Sequence, residues 1–180
     1  MTTDSTDISA TKPANAKPAR KPTRSQKAVI GWEEWVSMPG LDLPAVKAKS
    51  DTGALNASLH AFNIKPFDKD GKKYVRFDVH PVQRNTKIVR HCEAPVRSRR
   101  FVTSSNGEKE RRYVIEAAIV IGGRTVKAEI TLTSRHKMTF RMLLGSETLK
   151  KGRFIVDPAK SHLFGKIKDA AALYTTAIKE

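Results

Sequence analysis

From Val29 onward, apolar and polar positions alternate over short stretches. In the run Tyr74-Val75-Arg76-Phe77-Asp78-Val79-His80, the residues Val75, Phe77 and Val79 share one face. That period of two is what a strand with one buried face requires. The same period runs through 125–132, with Val126, Ala128, Ile130 and Leu132 facing one way and Thr125, Lys127, Glu129 and Thr131 the other. Gly122-Gly123, just before it, predicts a tight hairpin turn. Ahead of that turn, Tyr113 to Ile121 is apolar enough for a more deeply buried strand. Ala45-Val46-Lys47 predicts another strand, and Phe154-Ile155-Val156 a further one, stopped by Asp157-Pro158. Ser146 to Gly152 reads as a short helix with Ser146 as N-cap and Gly152 just past its end. Asp169 to Glu180 reads as a terminal helix. No internal repeat is present. The pattern predicts an all-β chain, a small closed barrel or sandwich with one short helix and a C-terminal helix.

Composition adds a tail and a charge. Residues 1–27 are rich in Thr, Ser, Ala, Pro and Lys, and only Met1 and Ile8 among them are large and apolar. Such a stretch buries too little apolar surface to offset its ordering entropy, so 1–27 is expected to be a disordered basic tail. The chain carries 34 Lys+Arg against 18 Asp+Glu, a net charge of +16. The tail holds six basic and two acidic residues, which leaves +12 on the rest. The folded part is itself strongly basic, which implies an acidic partner: nucleic acid, an anionic surface or an acidic peptide. No apolar run approaches the roughly 18 to 20 residues of a membrane helix, and the N-terminus lacks the apolar core of a secretory signal. A single cysteine, Cys92, excludes an internal disulfide and a four-cysteine zinc site. These features predict a cytoplasmic protein.

The most specific feature is Ala48-Lys49-Ser50-Asp51-Thr52-Gly53-Ala54, directly after the strand at 45–47. Asp-Thr-Gly at a strand end is the catalytic turn of aspartic peptidases. Asp51 supplies the acid/base, Thr52 braces the loop, and Gly53 lets the backbone turn and bring N–H groups near the carboxylate. All three are also ordinary turn residues, so the tripeptide alone leaves a plain turn open. A second feature, Met142-Leu143-Leu144-Gly145, follows a strand-like stretch later in the chain. In aspartic peptidase folds such a segment packs beside the catalytic loop, its glycine permitting close backbone approach. Ala54, Leu144 and Gly145 are therefore the expected structural support of the loop.

Taken together these stretches resemble a known family, the bacterial retropepsin-like peptidases catalogued as ATP-dependent zinc proteases, whose members accompany the ligase that glutamylates a ribosomal protein. The resemblance rests on Gly31-Trp32-Glu33-Glu34-Trp35-Val36, the segment 49–54, Val75-Arg76-Phe77, and Arg100-Phe101-Val102-Thr103-Ser104-Ser105-Asn106-Gly107. It continues through Arg112-Tyr113-Val114-Ile115, Arg135-His136-Lys137-Met138 with Arg141-Met142-Leu143-Leu144-Gly145, and Val156-Asp157-Pro158. These segments stand in the expected order over residues 29–165. The resemblance implies a retropepsin-like closed barrel over 28–166, followed by a helical extension over 167–180. One departure is visible: the family reads Leu-Leu-Gly-Arg, and here Ser146 follows Gly145. In retroviral-type peptidases that arginine supports the dimer, and Arg141 is a nearby candidate to replace it.

Aspartic peptidases use two carboxylates sharing one proton, because like charges about 3 Å apart cannot both ionise. This chain has one Asp-Thr-Gly and no Asp-Ser-Gly, so a catalytic reading requires a homodimer with Asp51 from each copy. The basic body suits an acidic peptide, and the resemblance implies glutamate tails, with a glutamylated ribosomal protein or the glutamate ligase as partner. Arg97, Arg99, Arg100, Arg111 and Arg112 bracket the turn within 101–110 and are candidates to meet carboxylates bidentately. Arg76 and Arg135 are similar candidates.

No metal and no cofactor are expected. The five histidines include no His-Glu-x-x-His, and His91-Cys92-Glu93 would point to alternating faces of a strand. The chain has no Gly-Lys-Ser/Thr phosphate loop, so any ATP dependence belongs to a partner. The competing class is a non-catalytic basic β-barrel that binds RNA, ribosome or acidic tails through phosphate or carboxylate contacts. Aromatic residues make up 7% of the chain, and Trp32, Trp35, Phe77 and Tyr113 read as core or scaffold, which leaves few for stacking bases.

Overall fold

The computed structural model describes residues 26–103, 107, 109–134 and 139–175. Its strands are β1 (Ala28–Gly31), β2 (Glu33–Met38), β3 (Leu43–Asp51), β4 (Ala57–His60), β5 (Phe62–Lys69), β6 (Lys72–Val79), β7 (Arg90–Thr103), β8 (Lys109–Ile121), β9 (Arg124–Thr133), β10 (Met142–Gly145) and β11 (Phe154–Asp157). Helix α1 (Ser146–Lys151) lies between the last two strands, and α2 (Ala172–Thr175) is a single turn near the end. The all-β expectation holds. The tail residues 1–25 and the end of the expected terminal helix, 176–180, lie outside the described residues.

Nine strands form one sheet in the order β2-β3-β10-β4-β9-β8-β7-β6-β5, and β1 pairs with β11 in a separate parallel ribbon. The sheet curls until β2 meets β8 through one bridged pair, Ser37 with Val120. The expected closed barrel is corrected to a curled sheet: β2 touches β8 by this one bridge and not by a ladder, while β7, β6 and β5 continue past it. Sequence periodicity accounts for the strands around the core: Val75, Phe77, Ile115, Ile119, Ile130, Leu132, Leu59 and Leu144 are all almost wholly buried. The hairpin at Gly122-Gly123 forms as expected, with φ of 54° and 76°. A side chain on Gly122 would also strike the Phe164 ring at 2.4 Å, so this position needs glycine twice over. β9 departs from strict alternation. Thr131 and Thr133 are buried on its polar face, and Thr131 Oγ1 donates to the Ala57 carbonyl at 3.1 Å.

The C-terminal segment is part of the core. Tyr174 is 2% exposed. Its hydroxyl accepts from Ala45 N at 3.2 Å and donates to Ala45 O. Ala45 lies where β2 and β3 slip register around a bulge, so one phenol stands in for a missing strand neighbour. Arg90 fixes the ring from behind: its guanidinium lies 5.3 Å from the ring centroid, and it donates to the Tyr174 carbonyl at 2.7 Å. Among the described residues no helix is long and apolar enough to cross a membrane.

Burial pushes the Tyr174 hydroxyl up to about 12, with a hydrogen bond to Ala45 opposing the shift. Burial likewise pushes the Cys92 thiol up to about 12. Both folded values lie above the ordinary ones, so their stabilisation is complete below the ordinary values and is lost as pH rises through them. Tyr174→Phe is expected to lower stability by about 1–3 kcal/mol, the cost of leaving Ala45 N–H and C=O unsatisfied, as read by urea denaturation at neutral pH. The same variant should lose less stability than wild type between pH 10 and pH 12, the range in which the phenol ionises. A second expectation follows from the 2% exposure of Cys92. A thiol reagent at pH 8 should leave the native chain unlabelled and modify one thiol once it is unfolded in urea.

Candidate active site

The last residue of β3 is Asp51. Along this strand Ala48 and Ser50 point into the core, while Lys47, Lys49 and Asp51 occupy the other face. The chain then turns so that Asp51 Oδ1 accepts the N–H groups of Gly53 and Ala54, each at 3.1 Å. This is a carboxylate–backbone turn of the kind aspartate makes at loop starts. Gly53 is not in the left-handed region, and a Cβ there would meet Asp51 Oδ1 at an ordinary 3.6 Å. The expectation that glycine is needed for a sharp turn is therefore corrected: the loop uses the Gly53 amide and the open space beside it. Thr52 is exposed, and its hydroxyl has no partner among the described residues.

β10 lies beside this loop, as the Leu-Leu-Gly segment implied. It runs parallel to β3, with Leu144 opposite Ser50 and Gly145 opposite Asp51, and antiparallel to β4 on its other side. Gly145 is where the approach is closest. A Cβ there would lie 2.4 Å from the Asn56 carbonyl oxygen and 2.7 Å from that of Leu55. Helix α1 starts at once, and its free N–H groups find the loop: Ser146 N donates to Ala54 O at 2.7 Å and Glu147 N to Leu55 O at 3.0 Å. The expected cap is corrected accordingly. Gly145, not Ser146, is the N-cap, and no side chain caps the helix, because loop carbonyls take its first donors.

Behind Asp51 lies a bracing layer that no motif in the sequence announces. Ser50 Oγ donates to Gly31 O at 2.8 Å, and Ser50 N to Trp32 O at 2.9 Å. Gly31 N donates to the fully buried Glu34, whose Oε1 also accepts from Leu163 N at 2.8 Å and whose Oε2 accepts from Phe164 N at 3.4 Å. The available signal was Glu34 itself, a carboxylate on the face of β2 that also carries Val36 and Met38. Trp32, read as scaffold, is 37% exposed, with its ring edge-on to Phe140.

The structure draws Asp51, Thr52, Gly53, Ala54, Leu144 and Gly145 into one unit. The candidate arginines lie on β6, β7 and β8, which β10, β4 and β9 separate from β3 in the sheet order. Arg76 donates twice to Glu93 Oε1, at 3.0 and 2.9 Å. Arg97 and Arg100 reach the same Glu129 carboxylate, at 3.7 and 2.8 Å. Arg112 pairs with Glu110 at 2.7 Å. Arg99 lies over the Tyr113 ring and Arg111 over Phe101. Arg135 lies outside the described residues. Among the described residues no group of three or more His, Cys, Asp or Glu could hold a metal ion. Along β7, His91 and Glu93 are exposed and Cys92 is buried between them.

Comparison with known proteins agrees with this geometry. A probable α-L-glutamate ligase of Shewanella pealeana is 46% identical over 143 residues, which is 79% of this chain and 31% of that protein. One from Parasynechococcus marenigrum is 46% identical over 144 residues, covering 80% of this chain and 31% of the relative. The chain thus spans about a third of the length of these curated relatives. A crystal structure of a Legionella pneumophila protein of unknown function is 27% identical, with a TM-score of 0.65, and the match covers 77% of this chain and 99% of that one. The family model described as retropepsin-like aspartic endopeptidase RimB matches residues 29–166. With Asp51 seated between two amides and a side-chain-free strand end, and with that match over most of its length, the chain belongs to the RimB-like family of retropepsin-like aspartic endopeptidases.

Proposed function

We propose that the chain is an aspartic endopeptidase, active as a homodimer in which each copy contributes Asp51, and that it cleaves acidic, glutamate-rich peptide. The observation that carries this reading is the seat of Asp51: a carboxylate at a strand end, oriented by the Gly53 and Ala54 amides. Its loop is held by β10 and the start of α1. One such loop supplies half of the required chemistry, and two-fold symmetry supplies the other half. Leu55, 63% exposed beside the loop, is apolar surface that a second copy would cover.

In this reading the two carboxylates share one proton and titrate as a unit. The ionised one takes a proton from water as the water oxygen bonds to the scissile carbonyl carbon. The protonated one gives its proton to the carbonyl oxygen. Collapse of the tetrahedral intermediate then breaks the C–N bond as a proton passes to the amine nitrogen. Gly53 keeps the space beside the carboxylate free for substrate.

The acidic substrate is supported by the excess of positive charge and by the proteins in which a similar segment occurs, which are named for glutamate ligation. A glutamylated ribosomal protein and the ligase that acts on it are the partners this reading implies. The paired arginines of β6, β7 and β8 contribute positive potential at long range, and each must exchange its present carboxylate to bind one of the substrate.

Wild type is expected to shorten an α-linked oligoglutamate, as read by mass spectrometry. Asp51→Asn should cut more slowly by about 10²- to 10⁴-fold or more, the range of general acid–base catalysis, while its circular dichroism stays unchanged. Salt-sensitive RNA binding that Asp51→Asn leaves intact, with no cleavage by either protein, would instead favour the non-catalytic module. Specific activity is also expected to fall on dilution in step with the loss of dimer seen by analytical ultracentrifugation. A constant specific activity from a strict monomer would rule out the shared dyad.

A further inference from the structure

The face of β3 that carries Asp51 continues away from it as a row of cations. Residues two apart on a strand share a face and stand about 7 Å apart, so Lys49 and then Lys47 follow Asp51 along that face. Lys49 is exposed, and among the described residues no carboxylate lies within ion-pair distance of its amine. Its cross-strand neighbours are Glu33 on β2 and Leu143 on β10. The Glu33 carboxylate is engaged elsewhere, 3.8 Å from the Lys47 amine and 3.0 Å from His162 Nε2. The Lys47 amine lies 5.3 Å from the centre of the ring of Trp35, its cross-strand partner. These two residues line a hollow of ≈ 320 Å³ together with Val82, Ile167, Lys168 and Asp169.

We propose that this strip binds an acidic peptide in extended form: Lys49 takes a carboxylate beside the bond presented to Asp51, and the hollow at Trp35, Lys47 and Lys168 takes one farther along. The proposal rests on the catalytic reading of Asp51 and deepens it by assigning substrate recognition to the catalytic strand itself. The spacing fits, because an extended peptide advances about 3.3 Å per residue, as β3 does, so Lys49 and Lys47 stand about two and four residues from the cleaved bond. Three cations face two carboxylates, Glu33 and Asp169, along this path. Lys49 binds without first releasing a partner, unlike the arginines that hold Glu93, Glu110 and Glu129. A lysine amine is a compact charge on a flexible stem, so it accepts carboxylates arriving in many poses, as a repeating glutamate tail presents them.

The test uses the full chain carrying Asp51→Asn, so that the probe is not turned over, and reads fluorescence anisotropy of a labelled α-linked hexaglutamate. Added Lys49→Glu is expected to weaken binding about tenfold or more. Lys49→Arg and the control Lys73→Glu should each stay within about twofold of the parent, the latter because its amine is already paired with Asp68 in an exposed contact. Binding by Lys49→Glu within about twofold of the parent, or an equal loss at Lys73, would overturn the assignment in favour of diffuse attraction. If the parent fails to bind hexaglutamate while wild type cleaves a neutral peptide through Asp51, the strip falls and the catalytic reading stands. If the parent binds through Lys49 and wild type cleaves nothing, the catalytic reading falls and the strip stands.

Discussion

The loop around Asp51 depends on one strand end having no side chain. β10 is wedged between β3 and β4, parallel to one and antiparallel to the other. Its final residue presses so close to the Leu55 and Asn56 carbonyls that even a methyl group would overlap them. The closeness lets α1 begin directly against the loop, where its first donors meet the Ala54 and Leu55 carbonyls. On the loop's other edge, the Gly53 and Ala54 amides meet Asp51. A surface turn that would otherwise trade its backbone hydrogen bonds with water has them assigned on both edges, and this is what gives a partly exposed carboxylate a defined direction.

A second layer extends that order inward. Burying a carboxylate is costly unless its oxygens are satisfied, and Glu34 is satisfied by three backbone N–H groups, one local at 31 and two remote at 163–164. Gly31 passes the constraint to Ser50, the neighbour of Asp51. Alternation thus splits the adjacent Glu33 and Glu34 between two tasks. One tethers the core, and the other stays near the surface with Lys47 and His162.

Much of this was legible in the sequence. Period-two patterning marked β6 and β9, an apolar run marked β8, paired glycines marked the hairpin, and Asp-Thr-Gly with Leu-Leu-Gly marked the two segments that the fold brings into register. What escaped was set by partners remote in the chain. Ser146 has the chemistry of a cap, but loop carbonyls ninety residues earlier already occupy the donors it would serve. The arginines read as free for a ligand, yet Glu93 on the next strand engages Arg76, and Glu129, two strands over, engages Arg97 and Arg100. Thr131 looks like a surface residue until β4 is laid beside it. Tyr174 falls within the stretch that reads as a terminal helix, and it completes the hydrogen bonding of β3. Local pattern carries the strands, and long-range pairing decides which polar groups remain available.

Two of the longest pairings bear on how the molecule is made. Glu34 meets Leu163 and Ala45 meets Tyr174 across 129 residues in each case. A chain emerging from the ribosome displays Asp51 long before it displays either partner. Until those late segments arrive, the strand that presents Asp51 lacks its inner brace and its surrogate neighbour. Closing so long a span is slow compared with forming the local hairpins. The order of the Asp51 loop is thus a property of the completed fold rather than of the segment that carries it.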